Sequence, residues 1–201
     1  SARIMSGSPE RFLKREGDRL MSQPIKGTVR RGRSAEEDNA LIDALQSSEK
    51  ERAENVMIVD LVRNDLSRIA QKATVEVTEL CGIHSFQTVH QMVSTIECRL
   101  RKDKGLSDIL RATFPMGSMT GAPKISAMKH IDRIEPEGRG SYSGSIGYIT
   151  PKGDFDFNVL IRSLFHNSMT EMLVANVGGA ITSLSDAQEE YEECMLKAEA
   201  I

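Results

Sequence analysis

Apolar positions along this chain switch several times between a helical and a strand spacing. The first 33 residues carry only short apolar groups, cut by Gly7, Pro9, Gly17, Pro24, Gly27 and Gly32, and predict short extended pieces joined by loops. Ser34 followed by Glu37 is a capping box that opens a helix. Behind it Leu41, Leu45, Met57, Leu61 and Ile69 keep helical spacing, with room for a break. TVEVTEL (74–80) alternates as a half-buried strand does, and 93–100 does so less cleanly. A short helix over 107–113 leads into a glycine-rich loop, 115–123. KISAMKHIDRI then continues as a helix, with Pro123 in its first turn. Residues 141–149, 155–165 and 172–177 predict strands, and a last helix runs from about Ser185 to the end. Strands and helices mixed without regular βαβ alternation define an α+β class. No repeat, low-complexity tract or long linker divides the chain, so residues 1–201 are expected to form one domain.

Composition narrows the classes. With 39% hydrophobic and 27% charged residues the make-up is that of an ordinary globular protein. A net charge of −3 supplies no field for nucleic acid, and six Phe, three Tyr and no Trp leave little for base stacking. Cys81, Cys98 and Cys194 are odd in number and form no CxxC pair, which argues against a zinc knuckle or a disulfide framework and for a reducing compartment. No apolar run approaches the roughly 18 residues of a membrane span. A soluble, cytoplasmic protein with no membrane or nucleic-acid partner is expected.

Several residues sit where their side chains need a reason. In QPIKGTVRRG, Lys26 is either one more surface lysine or a buried amine held for chemistry. Glu54 shares a helix face with Met57, Ile58 and Leu61, where a carboxylate must be paired or bound to a cation, and Lys50 one turn back is the plainest partner. Glu190, Glu193 and Lys197 share a face of the last helix, which reads equally as a solvated acidic surface with an i,i+4 pair. If two such helices faced each other, a carboxylate from each could hold Mg²⁺. Arg162, in the strand-like run FNVLIRSLF, needs either an internal ion pair or a carboxylate ligand for its planar fork. Gly178 and Gly179 follow a strand and permit a close backbone approach or a plain turn. GSMTGAPK places Ser118 and Thr120 at a helix N-terminus, but it does not match GxxxxGK[ST], so a nucleoside triphosphate is not expected. By spacing alone, His90 reads as a core or surface residue and Glu10 as half of a loop ion pair.

Taken together, SPERF, PIKGT, RAENVMIVDLVRND, VHQMVSTI, FPMGSMTGAPK, GSYSGSIGY, the IRSL strand, the VGGAI turn and the final ExxExxxK helix carry a resemblance. Nine ordered motifs, spread over about 8–197, resemble the chorismate-binding enzymes: component I of anthranilate and aminodeoxychorismate synthases, and the isochorismate and salicylate synthases. The resemblance implies a two-layer, sandwich-like sheet core with helices outside. Family members are usually more than twice as long, with an N-terminal half adding strands to that core. Residues 1–201 would then be the catalytic C-terminal half, with exposed sheet edges where nothing covers them.

The lysine of PIKGT resembles the aminodeoxychorismate synthase branch, where relatives that make anthranilate or salicylate have a small residue. That branch implies amination of chorismate on the path to 4-aminobenzoate and folate, with ammonia from a glutamine amidotransferase partner. Lys26 matches a covalent nucleophile that must be shifted toward the free amine by desolvation or nearby cations, Arg30 and Arg31 being candidates. Glu10 matches a general acid/base at the leaving hydroxyl and His90 a histidine near it. Glu54 and Glu193 match Mg²⁺ ligands, with Glu190 their acidic neighbour. Tyr142, Arg162 and the Gly178 backbone N–H match a clamp on the enolpyruvyl carboxylate, and Ser118, Thr120 and Lys197 a pocket wall. The alternatives are anthranilate synthesis within the family and, outside it, a non-catalytic metabolite-binding or scaffolding module.

Overall fold

A computed structural model describes residues 2–183, 185–199 and 201. Its strands are β1 (Ala2–Ser6), β2 (Arg11–Glu16), β3 (Arg19–Gln23), β4 (Ile25–Arg30), β5 (Glu76–Ser85), β6 (Val89–Arg99), β7 (Ser145–Ile149), β8 (Phe155–Val159), β9 (Ser163–Asn167) and β10 (Met172–Ala175). The helices are α1 (Ala35–Ser47), α2 (Glu49–Ser67), α3 (Leu106–Thr113), α4 (Lys124–Ile134) and α5 (Ala187–Glu199), with a 3₁₀ turn at Gly117–Met119. The strands form an antiparallel seven-stranded sheet, β4-β6-β3-β2-β8-β7 with β5 also on β6, and an antiparallel three-stranded sheet, β1-β9-β10. Two sheets with helices laid on them agree with the α+β, sandwich-like class.

Local chemistry accounts for the element ends. The Ser34 side chain accepts from the Glu37 N–H and starts α1, while Ser48 does the same for Glu51 and starts α2, so the anticipated break falls at Ser48. Each cap contributes about 1 kcal/mol. Leu66 of α2, Ile109 of α3, Leu13, Leu20 and Ile96 of the large sheet, and Phe155 are almost wholly buried in one core with Met116 from the loop before α4. A smaller cluster joins Leu45 of α1 to Cys81 and Met92. Each such side chain contributes roughly 1.5–3 kcal/mol by leaving water. The small sheet has no comparable backing, and Ile4, Met5, Met172, Leu173 and Val174 on it are exposed.

Two expectations shift. The first 30 residues contain four strands, because alternate residues such as Leu20 and Ser22 face the core although the runs are short. The single strand anticipated over 155–165 is two strands in different sheets, β8 and β9. Between them Arg162 has φ +51, a left-handed conformation that ends the pleat, so Arg162 lies at a strand junction rather than within a strand.

Candidate active site

β1 pairs with β9 and β2 with β8, so residues 2–16 and 155–167 form one antiparallel ribbon shared by the two sheets. At the bend, Gly7 N–H donates to Arg162 O (3.1 Å) and Val159 N–H to Glu10 O (3.0 Å). Glu10 and Arg162 therefore occupy neighbouring positions where the ribbon passes from one sheet to the other.

Glu10 is only 7% exposed. Burial pushes its carboxyl up to about 7, against the smaller opposing effects of a Ser118 side-chain hydrogen bond and the nearby Lys26 ammonium. Such a group holds a proton near neutral pH and can deliver it. Glu10, Ser118, Ser22, Pro24, Ile58 and Asp65 are among the residues lining a small cavity of about 20 Å³, enough for a water molecule.

Lys26 projects from β4, and its Nζ lies 3.5 Å from Glu54 Oε2 on α2, with both side chains largely buried. Arg30 and Arg31 do not approach it: Arg30 pairs with Glu37 (2.5 Å) and Arg31 with Asp38 (2.7 Å), both on α1. Instead Lys26 is among carboxylates, within electrostatic reach of Glu10, Glu51 and Glu193 as well as Glu54. The lysine thus leaves the solvated-surface reading behind.

Across from α2 stands α5. Glu193 accepts from Lys197 Nζ (2.5 Å), and although burial acts to raise its carboxyl, Lys197, Lys50 and Lys26 outweigh burial and hold it low. Glu190 is 7% exposed, accepts from Ser185 Oγ (2.7 Å) and lies 3.8 Å from Lys50 Nζ. Lys50 therefore spans the gap to α5, leaving Glu54 to Lys26. Glu51 joins the group: burial first, then the repulsion of Glu54 and Glu193, raise its carboxyl. Glu51 is absent from the residues singled out by sequence; its i−3 spacing from Glu54 is the signal that could have found it.

The clamp candidates gather at the α5 side of the bend. A Cβ on Gly178 would come 2.9 Å from Tyr142 Oη, and one on Gly179 3.0 Å from Glu190 Oε2, so both positions need the bare backbone for this approach. Lys197 Nζ donates to Gly178 O (3.2 Å). Burial raises the Tyr142 hydroxyl, and Arg162 is close enough to influence it. Among the described residues no ion pair engages the Arg162 guanidinium, which favours the ligand-facing alternative for this residue over an internal pair.

The family model for chorismate binding enzymes matches residues 1–201. The chain belongs to the chorismate-binding enzyme family. It is 49% identical over 197 residues to an aminodeoxychorismate synthase of Streptomyces griseus, covering 97% of this chain and 27% of that protein. Aminodeoxychorismate synthase component 1 of Escherichia coli (strain K12) is 42% identical over 198 residues, with coverages of 98% and 43%. The crystal structure of anthranilate synthase component I from Streptococcus pneumoniae TIGR4 is similar with a TM-score of 0.87 and 37% identity, over 98% of this chain and 43% of that one. The chain spans less than half the length of each of these relatives.

Two of the anticipated site residues have their polar atoms engaged within the chain. His90 is fully buried, with Nδ1 2.8 Å from Ser85 Oγ and Nε2 2.9 Å from Asp38 Oδ1. Both ring nitrogens are engaged, and no described contact joins it to Glu10. Asp38 is itself held well below the usual carboxylate range by Arg31 first, then the Gly32 N–H and His90. The Ser85–His90–Asp38 chain thus ties β5, β6 and α1 together. It has the residue types of a hydrolytic triad, yet its Asp38 is held by the Arg31 guanidinium. Thr120 also turns inward, its hydroxyl donating to Met116 O (3.0 Å).

Among the described residues no three His, Cys, Asp or Glu side chains lie close enough together to enclose a metal ion. Mg²⁺ asks for less, since one or two carboxylates with water and substrate oxygens complete its octahedron. The crowding of Glu51, Glu54 and Glu193, at present relieved by lysines, is the electrostatic setting such a cation suits. No helix among the described residues is long and apolar enough to cross a membrane.

Proposed function

We propose that residues 1–201 form the catalytic domain of a cytoplasmic enzyme that aminates chorismate to 4-amino-4-deoxychorismate, with ammonia from a glutamine amidotransferase partner. The observation that carries this reading is the meeting of a desolvated acid and an amine: Glu10, titrating at about 7, within electrostatic reach of Lys26. The names of the relatives in Streptomyces griseus and Escherichia coli support the choice of reaction, and "component 1" supports a second component.

Mg²⁺ on Glu54 and Glu193, with Glu190 behind them, would neutralise the ring carboxylate of chorismate and orient it. Arg162, Tyr142 and the Gly178 N–H hold the enolpyruvyl carboxylate, the guanidinium forming a charge-assisted pair that no described residue supplies. Ser118 and Lys197 wall the pocket. Lys26, released from Glu54 as the free amine once its proton has passed to solvent, attacks C2 of the ring. Both ring double bonds shift, from C1=C2 and C5=C6 to C1=C6 and C4=C5, the C4–O bond breaks, and Glu10 gives its proton to the leaving hydroxyl, which departs as water. Ammonia then bonds to C4, both double bonds return, the C2–N bond to Lys26 breaks, and the new C4 ammonium gives a proton back to Glu10. Across the cycle chorismate and ammonia become aminodeoxychorismate and water. His90 takes no proton in this scheme and acts by anchoring α1.

Mass spectrometry after incubation with chorismate and Mg²⁺, without ammonia, tests the scheme. An adduct on Lys26 that disappears when ammonium is added is expected. Formation of anthranilate with pyruvate in the presence of ammonium overturns the assignment in favour of the other branch of the family.

A further inference from the structure

Lys124 opens α4, where its charge opposes the helix dipole and no acidic residue stands in the first turn to offset it. α4 buries none of its residues, so packing of the helix does not explain the position either. The lysine instead enters the body of the protein. Its Nζ donates to Asp65 Oδ2 of α2 and to Thr113 O of α3 (3.3 Å), and the side chains of Lys124 and Asp65 are both largely hidden from solvent. Buried ion pairs add little to stability compared with apolar residues of equal volume, and their better-attested use is to fix one arrangement among several.

What this pair fixes is legible along α2. Glu54, Ile58, Leu61 and Asp65 recur at intervals of three and four and form one stripe, about 16 Å from end to end at 1.5 Å per residue. Glu54 meets Lys26 at one end. Ile58 lines the cavity beside Glu10. Leu61 packs so tightly on Gly117 that a Cβ there would come within 3.1 Å of it. Asp65 holds Lys124 at the far end. The segment between Thr113 and Lys124 is thus pressed on α2 at its middle and tied at its end, and it carries Ser118 to the Glu10 carboxyl. Asp65, Thr113, Gly117, Ser118 and Glu10 line the same cavity.

We propose that the Asp65–Lys124 pair is a positioning device for the Glu10–Ser118 couple. It touches no reacting atom; it sets the loop height on α2 at which the Ser118 hydroxyl reaches the acid. The proposal rests on the catalytic reading above, and the test separates the two.

The measurement is the pH dependence of chorismate turnover, at saturating Mg²⁺ and a constant concentration of free ammonia. Glu10 acts protonated, so its ionisation sets an alkaline limb near pH 7. Ser118→Ala removes the hydrogen bond that favours the carboxylate and moves that limb upward. Asp65→Asn and Lys124→Met are expected to move it upward by the same amount, the double variant Asp65→Asn/Ser118→Ala to move it no further, and Lys124→Arg to restore the parent limb. Melting temperature is followed alongside. A lowered melting temperature with the limb unmoved in Asp65→Asn and Lys124→Met overturns the proposal, as does loss of the fold in both, because the pair is then structural only. A limb that persists unchanged in Glu10→Gln instead overturns the assignment of Glu10 as the acid.

Discussion

The two ends of the cleft are built differently. Around Glu10, Ser118 and Lys26 the support is the seven-stranded sheet with α2 and α3 packed on it, and the Glu10 and Lys26 side chains are largely removed from water. Around Arg162, Tyr142, Gly178 and Lys197 the support is a strand junction, a glycine turn and a helix beside the thin three-stranded sheet, whose outer strands β1 and β10 are exposed. Desolvation changes proton affinity and so belongs where proton transfer and nucleophilic attack occur. Under the proposed function, a carboxylate arriving from solvent needs a preformed charge, which Arg162 would supply at the second end.

That contrast breaks if the two ends respond alike to mutation. Lys26→Ala removes the nucleophile and is expected to lower kcat on the order of 10⁴-fold or more, while equilibrium binding of chorismate in the presence of Mg²⁺ stays near the parent value. Glu10→Gln removes the acid but preserves shape, with an expected loss in kcat of about 10²–10⁴-fold and no alkaline limb near pH 7. Arg162→Ala should act on the other parameter, raising KM roughly 10- to 100-fold at little cost in kcat, as loss of a charged hydrogen bond predicts. A large fall in kcat with unchanged KM for Arg162→Ala would merge the two ends into one.

A smaller effect sharpens the comparison without substrate. Glu10 binds its proton more tightly folded than unfolded, so its stabilising contribution is fully present below about pH 4.5 and is lost as pH rises through about 7. The change is roughly 3 kcal/mol as an upper figure, and Glu10→Gln should flatten that part of the stability curve in urea titrations at a series of pH values.

Much of this was legible in the order of residues. The capping boxes at Ser34 and the stripe through Glu54 are local, and local rules place them. What failed was long-range. Nothing near FNVLIRSLF reveals that the pleat stops at Arg162, because the run is apolar on both sides and only the change of sheet demands φ +51. The resemblance places His90 near the leaving hydroxyl, and its contact with Asp38, 52 residues away, is not visible from spacing. Beyond its spacing from Glu54, Glu51 carries no signal of its own in the sequence, because its crowding by Glu193 needs α5 in place. For the same reason Lys26 was assigned arginine neighbours from its own strand, when the groups that surround it come from α2, α5 and the segment before β2.

The ribbon shared by the sheets has a mechanical corollary. Glu10 and Arg162 stand on opposite strands at its fold, like two points either side of a hinge pin, tied by main-chain bonds rather than side chains. Under the proposed function, a tilt of the small sheet against the large one would open or narrow the jaw between proton donor and anion grip.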